Sequence, residues 1–328
     1  MMLMKKLYHM EVRISMVRSE FTFLSADGKT PIHAVVWEPE TAPVGVVQLS
    51  HGVAEHIGRY EPLARFLTEH GFAVAGHDHL GHGASILPGA PRLYFGPRGS
   101  WVWAAEDLRV YREHIRARFP GIPYILLGHS MGSFLARADL IRCPGQVDGA
   151  VLIGTGHMTR SMQAAGRTLA AREERRVGST NPSPLVTRLA FGAYNRPFAP
   201  NRTSADWISA STANVDAYLA DPLCNGDPTT GLFREMLWGI WFMTYPGNLR
   251  RMDPDVPVLF LSGEEDPVGE NGKGVRRAAH AFRRAGVHSI TLKLYPGMRH
   301  EILNEDDRDI VYRDLLCWLR HRLPSQEA

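Results

Sequence analysis

Residues 124–132 read Tyr124-Ile125-Leu126-Leu127-Gly128-His129-Ser130-Met131-Gly132, an apolar run that breaks into Gly-x-Ser-x-Gly. Phe134, Leu135, Ala138 and Ile141 follow at helical spacing, so the serine stands between a buried strand and a helix. Alone, the five-residue pattern arises by chance in about one chain in ten of this length. Its placement is the informative part. A sharp strand-to-helix turn holds a serine in a strained conformation with its hydroxyl above the sheet, and glycines on both sides let strand and helix approach. The helix N-terminus behind Ser130 offers free N–H groups and a positive dipole end to a developing oxyanion.

Outward from this turn the chain alternates short strands with helices. Upstream, residues 21–24 and 32–37 flank Asp27-Gly28 as a hairpin, and 46–49 and 72–75 are short apolar runs. Residues 60–69 and 107–119 carry helical spacing, and 150–153 is a further buried strand. For roughly 95 residues after Gly156 the rhythm stops, replaced by helical pieces, Pro182, Pro184, Pro197, Pro200 and aromatics. It resumes at 257–261 and 290–294 and closes on a helix with Val311, Leu315, Trp318 and Leu319. Continuous apolar strands alternating with helices imply an α/β fold: a mostly parallel sheet covered on both faces. The expected organisation is an N-terminal extension (1–19), a first core half (20–157), a helical cap (158–253), a second core half (254–323) and a tail (324–328).

Composition sets the limits. The 328 residues are 44% hydrophobic and 22% charged, which suits one core with an insertion and not a disordered chain. A net charge of +3 without a dense basic run excludes nucleic acid as the main partner. Cys143, Cys224 and Cys317 are odd in number and form no C-x-x-C pair, which points to reduced thiols in the cytoplasm. Residues 1–6 resemble a charged signal-peptide start, but Tyr8, His9, Glu11 and Arg13 break the apolar stretch, so no export signal is expected. No window approaches a membrane span. Residues 169–176, with both charge signs, read as a solvated helix, and only peripheral membrane contact stays open.

A serine hydroxyl needs an imidazole base, and the base needs an orienting carboxylate. With such a turn on a parallel sheet, the chain order is Ser, acid, His. Of fifteen histidines, only His280, His288, His300 and His321 lie in the returning core half. His300 alone stands in a loop after a strand, and it is the expected base. The acid should follow the strand at 257–261, where Gly263-Glu264-Glu265-Asp266-Pro267 offers three carboxylates. Asp266, held extended by Pro267, is the expected acid, with Glu265 as the alternative. Oxyanion donors are expected at the N–H groups of Met131 and of Val53, in the loop Ser50-His51-Gly52-Val53-Ala54-Glu55-His56.

The cluster His77-Asp78-His79-Leu80-Gly81-His82 invites a metal reading, but the acid such a motif wants is replaced by Gly81. A turn packed beside the nucleophile is the better account, and neither metal nor cofactor is expected. In the cap, Phe191, Tyr194, Phe198, Trp207, Tyr218 and the run 237–243 supply apolar bulk. Most of it should bury the cap on the core. Trp207, Trp238, Trp241 and, beside the serine, His129 are candidates for substrate contact.

Taken together, these residues resemble the monoacylglycerol lipase/lysophospholipase branch of the α/β-hydrolases, also described as serine aminopeptidase S33-like. The resemblance rests on 51–60, 78–85, 128–132, 262–268 and 297–301, with Asp206-Trp207-Ile208-Ser209 and Asp221-Pro222-Leu223-Cys224 in the cap. It implies an α/β-hydrolase fold and a serine esterase acting on a small ester or lipid through an acyl-enzyme. Ala54 departs from it, since the family often has glycine there. An aminopeptidase or thioesterase on the same residues is the main rival. A catalytically silent binding protein is the rival from another class, and an intact Ser, Asp, His set speaks against it.

Overall fold

The computed structural model describes residues 16–322. The expectations about an export signal, most of the extension and the tail therefore fall on residues outside the described ones. Eight strands form one sheet: β1 (Val17–Leu24), β2 (Pro31–Glu38), β3 (Gly45–Ser50), β4 (Phe72–His77), β5 (Tyr124–His129), β6 (Gly149–Ile153), β7 (Val258–Gly263) and β8 (Ile290–Tyr295). Their order is β1-β2-β4-β3-β5-β6-β7-β8. The β1–β2 and β2–β4 pairs are antiparallel, and every pair from β4 to β8 is parallel. β3 to β7 are buried along their whole length, as continuous apolar strands in a doubly covered sheet should be. β1 begins at Val17, inside the expected extension. Its alternating Arg18 and Glu20 hide the strand in sequence, and the ladder from Val17↔Glu38 to Leu24↔Pro31 defines it.

Among the described residues the α-helices are α1 (Glu61–Glu69), α2 (Trp101–Arg118), α3 (Met131–Arg142), α4 (Arg160–Val177), α5 (Pro184–Ala190), α6 (Thr212–Ala220), α7 (Thr230–Thr244), α8 (Pro246–Leu249), α9 (Lys273–Ala285) and α10 (Arg308–Arg320). Side chains on β5 divide the core. Leu126 joins Leu108, Leu135 and Phe282 on the face of α2, α3 and α9, while Leu127 joins Leu63, Leu315 and Trp318 on the face of α1 and α10. α4 to α8 all lie between β6 and β7, two strands paired from Ala150↔Val258 to Ile153↔Leu261. The sequence's broken rhythm is thus an excursion between neighbouring strands. Among the described residues no helix is long and apolar enough to cross a membrane.

Candidate active site

Ser130 caps α3 with φ 51° and ψ −121°, a conformation that costs a non-glycine residue about 1–3 kcal/mol. The flanking glycines make the turn sterically feasible. A Cβ on Gly132 would sit 1.9 Å from the Ser50 carbonyl oxygen, and one on Gly128 would sit 2.4 Å from the Gly132 carbonyl oxygen. The Ser130 N–H donates to the Ile153 carbonyl at 3.0 Å, tying the strained residue to β6.

His300 and Asp266 meet across the ends of β8 and β7. The His300 Nδ1 lies 3.0 Å from Asp266 Oδ1, and both residues are buried. Asp266 also accepts from the Val268 N–H at 2.9 Å and the Ser262 hydroxyl at 3.1 Å. Burial alone would raise this carboxyl. The His300 charge and the hydrogen bonds from His300, Val268 and Ser262 outweigh burial and hold it below the ordinary range. Since the carboxylate accepts at Nδ1, the proton of a neutral His300 sits there and Nε2 is left with its lone pair. Glu264 and Glu265 are exposed, so the alternative acid does not join this pair. The His300 ring packs on Gly154, where a Cβ would stand 2.9 Å from Cε1.

Two peptide planes are fixed nearby. His51 Nδ1 is 2.7 Å from the Gly52 carbonyl oxygen, and its Nε2 accepts the His79 N–H at 3.0 Å. One ring proton on Nδ1 satisfies both contacts. In a trans peptide the carbonyl and the next N–H point opposite ways, so holding the Gly52 carbonyl turns the Val53 N–H away from His51. The Ser130 carbonyl is likewise held by the Ser133 N–H at 2.9 Å and the Ser133 hydroxyl at 2.6 Å. Met131, as the first helical residue, has no intrahelical acceptor for its N–H. Ala54 adopts φ 56°, in the left-handed region that glycine occupies without penalty. Its departure from the family pattern therefore falls on a backbone position where a methyl costs energy. Ala54→Gly is expected to raise stability by up to about 1 kcal/mol in urea unfolding, the relief of strain being partly offset by a freer unfolded chain.

Beneath this loop Glu55 braces the backbone, as its place in the sequence leads one to expect, and anchors a wider charged network that the sequence does not show. Glu55 Oε1 accepts from the Gly52 N–H at 2.5 Å and the Tyr60 hydroxyl at 2.9 Å, and stands 3.0 Å from His129 Nδ1. Arg59 reaches Glu55 at 3.1 Å and forks onto Glu301 at 2.6 and 2.8 Å. Asn214 of α6 adds a bond to Glu301 at 2.8 Å. His129 Nε2 lies 3.3 Å from the His300 carbonyl oxygen, so both ring nitrogens face acceptors. Burial opposes the imidazolium, but Glu55 prevails and raises the His129 pKa. His129 thereby bridges the Glu55 loop and the His300 loop through its ring nitrogens, and it also lines the cavity at Ser130.

His51, His77, His79 and His82 are buried together behind the loop, with the His51 and His79 rings 4.2 Å apart and those of His77 and His79 5.0 Å apart. Asp78 organises the adjoining turns by accepting from the Ile57 and Ala84 N–H groups, each at 2.8 Å. Among the described residues the one group with converging metal-ligand atoms is instead His56, Asp221 and Cys224. There the His56 Nε2 is 2.9 Å from Asp221, while its Nδ1 accepts the Gly58 N–H at 3.2 Å. An accepting Nδ1 places the ring proton on Nε2, which does not suit metal ligation.

Ser130, His300, Val53 and His129 line one cavity of about 140 Å³ with Phe191, Trp207, Ile208 and Tyr218 from the excursion. Trp207 stands 5.2 Å from the His300 ring and stacks on Phe191 at 6.1 Å. Trp238 and Trp241 do not reach this cavity, contrary to expectation. Gly239 presses α7 onto Trp101, where a Cβ would be 2.2 Å from the indole, while Trp238 packs half-buried against the core and Trp241 is exposed. Trp238 stacks on Phe242 beside α4, and Trp241 on exposed Tyr245. Trp207→Ala is expected to raise KM for acyl esters about tenfold with kcat little changed, read from p-nitrophenyl butyrate kinetics.

A serine on a strained strand-to-helix turn, a buried imidazole–carboxylate pair on the following strand ends and a mostly parallel sheet define an α/β-hydrolase. Residues 41–307 match the family described as serine aminopeptidase, S33, and the chain belongs to that family of hydrolases. It is 31% identical over 310 residues to a monoacylglycerol lipase of Mycolicibacterium smegmatis, covering 93% of this chain and 98% of the relative. Against the monoglyceride lipase of Homo sapiens it is 30% identical over 305 residues, covering 91% and 89%. Among solved structures, a thermostable carboxyl esterase from Bacillus coagulans in complex with glycerol superposes with a TM-score of 0.86 at 27% identity, covering 94% of this chain and 99% of that one.

Proposed function

We propose that this chain hydrolyses carboxylic esters of the monoacylglycerol type through an acyl-enzyme. The observation that carries the reading is the buried His300–Asp266 hydrogen bond at the cavity that also holds Ser130. Ser130 Oγ attacks the ester carbonyl carbon as His300 Nε2 takes its proton. The oxyanion is met by the Val53 and Met131 N–H groups. Collapse breaks the bond to the alcohol, which leaves with the proton from His300. Water then attacks the acyl carbon, gives its proton to His300, and the acid departs as Ser130 Oγ recovers it. Asp266 keeps the imidazole in the required tautomer throughout.

The relatives' names support a glycerol ester, and the cavity supports an amphiphile, its lining combining Phe191, Trp207 and Ile208 with the polar Ser204 and Asn225. At about 140 Å³ it is smaller than the roughly 300–1,000 Å³ of drug-sized sites, so long acyl chains need the cap to part. The three free cysteines support a reducing compartment. An aminopeptidase reading has one observation in its favour: exposed Asp227 lines the cavity without an ion pair among the described residues and could hold an amine. Reaction of the wild-type protein with a fluorophosphonate, the adduct located by mass spectrometry, is expected on the peptide bearing Ser130. Turnover of p-nitrophenyl esters and monoacylglycerols is expected to exceed that of aminoacyl p-nitroanilides. A protein that neither reacts nor turns over any of them would be a binding protein on a hydrolase scaffold.

A further inference from the structure

Away from Ser130, a cavity of about 520 Å³ opens between α8, α9 and the connection from β6 to α4. Arg250, Arg276, Arg277, Arg284, His157 and His280 line it, and no carboxylate does. Arg277 is committed to Glu270 and to the His157 carbonyl. Arg250, Arg276 and Arg284 have no ion pair among the described residues. A solvated basic helix face would explain arginines on α9 alone. It does not explain a concave wall to which Arg250, just after α8, adds another.

An independent observation lies behind that wall. Arg137 is fully buried, has no carboxylate partner, and leaves its Nε without an acceptor. Its Nη1 donates to the Gly156 carbonyl at 2.7 Å, and its Nη2 stands 3.4 Å from His157 Nδ1. Because a guanidinium only donates, His157 Nδ1 is the acceptor and its Nε2 carries a proton, a further donor in the lining. Burial, together with Arg137 and Arg277, pushes the His157 pKa down to about 3, so the ring stays neutral in this positive field. In the cavity between α4 and α7 a carboxylate does share the lining, and Glu235 pairs there with Arg234.

We propose that the cavity between α8 and α9 is a binding site for phosphomonoesters. Several forked donors around one space exceed what the two oxygens of a carboxylate can satisfy, and suit the three non-bridging oxygens of a phosphate. The space exceeds a bare phosphate, and Leu249 and Ala281 give an organic body apolar contact. The site stands apart from the ester chemistry and is independent of it.

Thermal unfolding of the full-length protein at constant ionic strength tests this with phenyl phosphate, inorganic phosphate and, as a control, phenol. Phenyl phosphate is expected to raise Tm saturably, phosphate to do so more weakly, and phenol not at all. Arg276→Ser/Arg284→Ser, both surface positions, is expected to weaken the apparent Kd at least about tenfold. Co-sedimentation with phosphatidylcholine vesicles, with and without phosphatidic acid, separates the sources. Binding to phosphatidic acid alone, lost in the double variant, assigns the phosphate to a lipid headgroup. A response to phenyl phosphate, lost in the same variant, assigns it to a soluble ester. No response in either arm, or one the double variant retains, overturns the site. Should that variant not fold, Arg284→Ser and Arg250→Ser singly are each expected to weaken binding about threefold.

Discussion

Ser130→Ala is expected to lower ester turnover by about 10⁴-fold or more and to abolish fluorophosphonate labelling, and Asp266→Asn to lower kcat by about 10⁴-fold. The second loss is the more informative, because asparagine keeps the shape of the side chain. With the amide nitrogen in place of Oδ1 the Ser262 hydroxyl still meets an amide oxygen, while the Val268 N–H, which shares Oδ1 with His300, loses its acceptor, so circular dichroism should change little and stability should fall by about 1–3 kcal/mol. What changes is the partner of His300 Nδ1. An amide N–H placed there forces the ring proton to Nε2, where the imidazole can no longer take a proton from Ser130. Turnover within tenfold of wild type for Asp266→Asn would remove Asp266 from its role.

Arg59→Met is expected to destabilise the protein by about 3–5 kcal/mol in urea unfolding at pH 8, chiefly the cost of leaving buried Glu301 without its cation, since Glu55 keeps His129. Arg59 is the one cation bonded to both Glu55 and Glu301, and all three are largely buried. Burial would raise the Glu301 carboxyl, but the Arg59 charge and fork outweigh it and hold it low. A depressed carboxylate contributes stability above its unfolded pKa and loses it as pH falls through the folded value. Without Arg59 the depression disappears, Glu301 protonates at higher pH, and the deficit should narrow between pH 8 and pH 5. Arg59→Met/Glu301→Gln should recover more than half of the loss, since it removes the stranded charge as well. A deficit independent of pH and unrelieved by the second substitution would mean that Arg59 acts through packing on Tyr218, whose ring its guanidinium overlies at 5.1 Å.

The parts of the site that sequence reveals are those fixed by local chemistry at strand ends. Ser130 is legible because glycines bracket it between an apolar run and a helical spacing, and His300 and Asp266 because each follows a strand of the returning half. His129, Arg59 and Glu301 are less legible. The bond from Arg59 to Glu301 joins residues 242 positions apart, and nothing in either neighbourhood announces the other. The adjacency of Glu301 to His300, and of Glu55 and Arg59 to the loop at 50–56, is the one signal that could have suggested it. Trp238 and Trp241 mislead for a different reason. Apolar bulk on a helix reports that some face is buried but not which one, and here it is Gly239 that meets Trp101 across the fold.

The excursion that carries α4 to α8 leaves the sheet at Ile153 and rejoins it at Val258, on two strands paired with each other. Because β6 and β7 run parallel, the two ends of this long segment sit at opposite ends of the sheet, each on a strand laddered on both sides. Such a segment can lengthen, shorten or be exchanged without altering the register of any ladder that holds Ser130, Asp266 or His300, and loop length itself costs little free energy. The chemistry and the choice of substrate can therefore diverge at separate rates in descendants of this chain, with new specificities arising by graft while the reacting groups stay where they are.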